Sequence, residues 1–172
     1  MDLYKLHTRV LMPFVSETLA TLADMADLNA TAAQGFQEEV DRYKLRAYAV
    51  SVVAKSEDGI QGKIIMNHPP ETALLIGNHV RAAMLGEPSD EPVINDEISD
   101  ALTEFSNTVV GLACNALYRA KVDIQFSAPL FISSAKDMEY ITAGVTEIFS
   151  VPIALTDSGT FHFSYLLHNK LK

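Results

Sequence analysis

The chain has 172 residues, 48% of them hydrophobic, with a single cysteine and a formal net charge of −9. That length and apolar content suffice for a core without disulfides or a structural metal, and residues 1–172 read as a single domain. The acidic balance, with Lys and Arg thinly spread, argues against nucleic acid as a partner; no run approaches the ~20 apolar residues of a membrane span, and Cys114 alone makes no internal disulfide, redox pair or zinc knuckle.

The first residues, Met1-Asp-Leu-Tyr-Lys-Leu-His7, lack a basic stretch followed by an apolar core, so a cytoplasmic location is expected. Leu11, Phe14, Val15, Thr18, Leu19, Leu22, Met25 and Ala26 have helical spacing and predict a helix over about Val10 to Leu28, with Pro13 in its first turn, where a missing N–H is harmless. Leu45 to Ala54 is rich in β-branched residues and reads as a strand. Asp58-Gly59 marks a tight turn, and Ile60 to Met66 is the hairpin partner. Pro69 and Pro70 stop that strand, and Glu71 to Leu85 is expected to be helical, ending at Gly86 as a C-cap.

The longest predicted helix runs from Val93 to Tyr118. Ile94, Ile98, Ala101, Leu102, Phe105, Val109, Leu112 and Ala116 form its apolar stripe, while Asp100, Glu104, Asn107 and Gly111 gather in a narrow opposite sector. Beyond it the chain reads as strands: Val122 to Ser127, Leu130 to Ser133, Met138 to Ala143, Glu147 to Leu155 and Thr160 to His168, with Asp157-Ser158-Gly159 as a turn. A helix followed by strands and a Gly turn thus occurs in both halves. Laying Glu17 over Glu104, about 87 residues away, gives a weak internal repeat in which Ala20 stands where the second half has Asn107.

A Glu and an Asn on an exposed helix face need no function, but three features argue for one. Asn inside a helix costs a few tenths of a kcal/mol relative to Ala, and Gly111 in the same sector costs about 1 kcal/mol. Val110, Cys114 and Leu117 are expected to border the patch and to add apolar surface for a docked partner. Both polar side chains should stand exposed on a convex helix rather than in a pocket.

Asp100-x3-Glu104-x2-Asn107, with Gly111 and then Pro129, resembles the signature of the CheC/CheX/FliY family of chemotaxis phosphatases, Asp/Ser-x3-Glu-x2-Asn-x22-Pro, and is most similar to its CheX branch. Here 21 residues rather than 22 separate Asn107 from Pro129. The likeness extends to the Pro13-Phe14 helix, the Gly59/Gly62 hairpin, the Ala73-to-Gly86 helix and the closing strands. It implies an α+β fold of long helices packed on antiparallel β-sheet with an approximate internal two-fold. It also implies a phosphatase for the phosphoaspartate of a CheY-like response regulator, in which Asn107 orients the attacking water and Glu104 pairs with the regulator's lysine, Asp100, Gly111 and Pro129 supporting the motif. By the same resemblance this chain carries no cofactor, magnesium is expected on the phosphorylated partner, and the protein is a homodimer. The single complete motif favours CheX over CheC-like relatives, which commonly carry two. The alternative is a non-catalytic module that binds a response regulator, motor or sensor protein through the same helix.

Other groups suggest no chemistry. His7, His68, His79, His162 and His168 lack metal-ligand spacing and read as surface or satisfied histidines. Ser16, Ser133 and Ser134 lack a nucleophile setting, and Gly59 to Gly62 is too short for a phosphate loop. Met66, Met84 and Met138 read as core filler.

Overall fold

The computed structural model describes residues 7–56 and 61–168. The expected Asp58-Gly59 turn lies outside them. Helix α1 spans Met12–Ala26, with a short π-helical turn at His7–Leu11 leading into it and Pro13 in its first turn. Short strands β1 (Ala30–Ala32) and β2 (Phe36–Glu38) follow, then the hairpin strands β3 (Tyr48–Lys55) and β4 (Gln61–His68). Helix α2 (Pro70–Leu85) ends on Gly86, whose φ of 71° places it in the left-handed region that suits glycine as a C-cap. Helix α3 (Asp96–Arg119) leads to β5 (Gln125–Phe126), β6 (Leu130–Ile132), helix α4 (Ala135–Thr142), β7 (Val145–Leu155) and β8 (Thr160–His168).

All pairings are antiparallel, in the order β1-β7-β8-β4-β3-β5, with β2 also on β7 and β6 also on β3. The two hairpins meet at β4 and β8, where Ile64 lies opposite Tyr165 and Met66 opposite Phe163. This arrangement makes the internal two-fold visible. The short strands after α1 flank the second hairpin at β7, and those after α3 flank the first hairpin at β3. Each half therefore lends its edge strands to the other. Each edge is also split near a proline, Pro152 of β7 between the stretches covered by β1 and β2, and Pro129 between β5 and β6, consistent with a residue that has no N–H to give a ladder.

The sheet separates two cores. Helices α1, α2 and α3 cover one face, where Phe14, Phe105, Phe161 and Phe163 are fully buried with Ile64 and Met66. On the other face Ile65, Ile148 and Leu166 pack beneath Tyr43 and beneath Met138 and Ile141 of α4. Residues 64, 65 and 66 divide between the two cores, as the period of two along a strand requires. Three helices pack against one another, and α2 comes especially close to α3: a Cβ on Gly77 would lie 2.5 Å from Cγ2 of Ile98.

Several expectations need correction. Met138 to Ala143 is not a strand but most of α4, started by Ser134, whose Oγ accepts a hydrogen bond from the Asp137 backbone N–H at 3.1 Å. Strands β1 and β2 had no counterpart in the sequence reading, and the strand expected over Val122 to Ser127 shrinks to Gln125–Phe126. The 87-residue overlay holds for the helices alone, because it would set the start of β3 on α4 rather than on β7. Met66 and Met138 are core residues, whereas Met84 is exposed. His68 is neither a surface nor a satisfied residue: its ring is buried against Phe161 and its Nδ1 meets no partner among the described residues.

Candidate functional site

Helix α3 begins where Asn95 accepts a hydrogen bond from the Ile98 N–H at 3.0 Å, and Asp96 and Glu97 in the first turn suit the positive end of the helix dipole. The approach to this start is tied to α2. Asn78 accepts from the Ser89 hydroxyl and the Glu91 N–H, Arg81 reaches both Ser89 and Glu97, and Asn95 donates to Glu91 at 2.8 Å. Ile98, Ala101, Leu102, Phe105, Ser106, Val109, Ala113 and Leu117 are buried beneath the helix. The stripe thus includes Ser106, Ala113 and Leu117 in place of the expected Leu112 and Ala116. Leu117 consequently does not border the polar patch, while Val110 and Cys114 are half-buried at its side. Burial raises the Cys114 thiol pKa.

Asp100, Glu104, Asn107 and Gly111 are all exposed on the opposite face. Glu104 and Asn107 are one short helical step apart, about 4.5 Å along the axis. Among the described residues neither side chain has a hydrogen-bond or salt-bridge partner, so a carboxylate and a carboxamide both face solvent with unused acceptors. Their immediate neighbours are held firmly. Phe105 and Ser106 are buried, and the Ser106 hydroxyl donates to the Leu102 carbonyl at 2.8 Å. Among the described residues a Cβ on Gly111 would meet nothing within 4 Å, so no packing among them requires glycine there. Pro129 is half-buried, at the split between β5 and β6.

Beside this face lies a feature that the sequence reading missed. Thr108 and Leu112 of α3, Met25 of α1 and Met84 of α2 line an open groove of about 390 Å³, with Asp24 at its rim. Met84 is 56% exposed and Leu112 41%. Only the way three distant helices come together creates it, so local periodicity could not reveal it. In α1, Glu17 is half-buried and Ala20 exposed, which leaves that helix without an amide at the corresponding place. Among the described residues no group of three or more His, Cys, Asp or Glu is placed to hold a metal ion, and no helix is long and apolar enough to cross a membrane.

These features define a class: an α+β protein that presents a carboxylate and a carboxamide on the exposed side of a long helix whose other side is buried against the core. A sequence profile described as "Chemotaxis phosphatase CheX" matches residues 50–153. The chain belongs to the CheX family. No curated protein matches it. Among solved structures it is similar to a CheC-like superfamily protein from Shewanella sp. PV-4, at 18% identity and a TM-score of 0.72 over 98% of this chain and 100% of that one. It is similar to the chemotaxis protein CheX from Desulfovibrio desulfuricans, at 21% identity and a TM-score of 0.71, covering 92% and 99% of the two chains. It also resembles a chain of the CheX-CheY-BeF3-Mg2+ complex from Borrelia burgdorferi, at 20% identity and a TM-score of 0.68, covering 93% and 98%. These likenesses establish the CheC-like fold.

Proposed function

We propose that this protein hydrolyses the phosphoaspartate of a CheY-like response regulator, with Asn107 orienting the water and Glu104 fixing the docked geometry. The observation that carries the reading is the pairing of two unpartnered polar side chains, exposed on α3, with neighbours that are fully buried. Family membership supports the reaction class. A relative of this fold in complex with CheY supports the kind of partner.

Phosphoryl transfer asks chiefly for an aligned nucleophile and neutralised charge. The Asn107 carbonyl oxygen accepts a hydrogen bond from water and aims its oxygen at phosphorus opposite the aspartyl oxygen. The new P–O bond forms as the aspartyl P–O bond breaks, giving inorganic phosphate and a free carboxylate. Glu104 forms an ion pair with a lysine of the regulator, contributing register more than affinity. Asp100 and Gly111 extend the contact, and Pro129 supports it from the sheet edge. Magnesium belongs to the regulator's acidic site in this reading, where it neutralises phosphoryl charge. A cytoplasmic homodimer is part of the same proposal; the outer edge of β6, which has no strand partner among the described residues and carries exposed Leu130, is open to a second copy.

The test uses phosphorylated receiver domains from the same genome. Asn107→Ala should slow phosphate release about a hundredfold or more with an unchanged circular dichroism spectrum, and Glu104→Ala should both slow it and weaken binding. Wild-type turnover in Asn107→Ala, with binding retained, would leave the non-catalytic binding module as the better description.

A further inference from the structure

The groove between α1, α2 and α3 is not used by the catalytic pair, yet it adjoins it. Thr108 and Leu112 directly follow Asn107 and Gly111, and the Thr108 hydroxyl donates to the Glu104 carbonyl at 3.0 Å. A partner lying on the exposed face of α3 therefore covers the groove mouth. One Glu and one Asn are too small a contact for a specific complex, which typically buries about 800 Å² on each side. Met84 and Leu112 supply what is missing, large apolar side chains left half in water beside a polar face.

Charge narrows the occupant. Asp24 lies on the groove and no lining residue is basic, while Glu104 and Asp100 continue the acidic character along α3. A second copy of this chain, with net charge −9 and the same acidic rim, would meet like charge there. An apolar side chain flanked by lysine or arginine satisfies both floor and rim.

We propose that this groove is a second docking point for the response regulator, taking a basic-flanked apolar side chain from the same receiver domain whose phosphoaspartate faces Asn107. The inference rests on the phosphatase reading for the identity of its partner. It divides labour on the surface: Asn107 sets the rate of the bound complex, and the groove sets how tightly and how selectively that complex forms.

The experiment compares wild type, Asn107→Ala and the double variant Met84→Gln/Leu112→Gln on a phosphorylated receiver domain, with thermal melts confirming the fold. Both groove residues are exposed, so their substitution leaves the cores intact. The double variant should raise KM about tenfold with kcat unchanged, and Asp24→Lys should raise it further at low salt than at high salt. A wild-type KM in the double variant overturns the docking inference even where Asn107→Ala has abolished hydrolysis. If wild type hydrolyses no receiver, the catalytic reading fails, and the groove is judged by titrating receivers loaded with beryllofluoride and magnesium. Weaker binding by the double variant upholds the groove; equal affinity, or no binding by wild type, overturns it. Sedimentation of both proteins supplies the last arm, since conversion of a dimer to a monomer by the double variant would assign the groove to a second copy and overturn the proposal.

Discussion

Asn107 and Gly111 lie four residues apart on the exposed face of α3, each at a place where alanine would serve a helix better. Gly111 has no internal reason to be glycine, because the space a Cβ would fill is empty. Gly111→Ala should therefore stabilise the protein by about 0.5–1 kcal/mol, raising Tm by roughly 1–4 °C. Under the proposed phosphatase reading, turnover of a phosphorylated regulator should fall in the same variant, as the new methyl would stand where the partner docks. Calorimetry and a phosphate-release assay check the two halves; a lower Tm would mean that the glycine has a structural duty. This position was legible in the sequence because a long helix has a strong 3.6-residue period, which fixes the outward sector from local information alone. Leu112 was not legible in the same way. It sits at the margin of the apolar stripe, and whether α1 and α2 close over it or leave a groove depends on contacts far away in sequence.

At the scale of elements, the same substitution should have the opposite sign on α2. A methyl at Gly77 would lie 2.5 Å from Cγ2 of Ile98, a fully buried β-branched side chain with little freedom to move. Gly77→Ala should push α2 from α3 and destabilise by about 1–3 kcal/mol net of the helix-propensity gain, measurable as a lower urea midpoint. An unchanged midpoint would show that the helix pair can part without loss. Because α2 also anchors the start of α3 through Asn78 and Arg81, its displacement should reach the exposed face of α3 as well. Elements of this size were readable to within a few residues. Helix α4 was not, since Tyr140-Ile141-Thr142 is a run of aromatic and β-branched residues that favours a strand, and eight residues give too few turns for the helical period to prevail. Its Ser134/Asp137 cap was the signal available. Strands β1 and β2, three residues each, owe their existence to pairing with β7 more than 100 positions later in the chain, and no local pattern specifies that.

For the whole molecule, the continuous sheet makes stability depend on pH through one buried ring. His68 ends β4 at the foot of the helical layer, stacked on Phe161 at 4.5 Å, and burial lowers its pKa to about 3 from an ordinary 6.5. The folded protein thus holds this histidine neutral where the unfolded chain takes up a proton. Stability from this group is complete above pH 6.5, declines by about 1.4 kcal/mol for each pH unit below it, and stops declining near pH 3. Between pH 7 and pH 5 the loss should reach about 2 kcal/mol, in a window above the ordinary carboxylate range. His68→Phe retains the stacked ring and removes the proton, so its denaturation midpoint should be flatter than wild type over that window, with His68→Leu as a second variant should the larger ring not fit. Parallel pH profiles for wild type and both variants would locate the acid sensitivity elsewhere. Because β4 joins the two hairpins at the centre of the sheet, protonation of this ring should be read out as global unfolding rather than as local loosening of α3. The exposed face of α3 should keep its geometry down to the pH at which the molecule as a whole gives way.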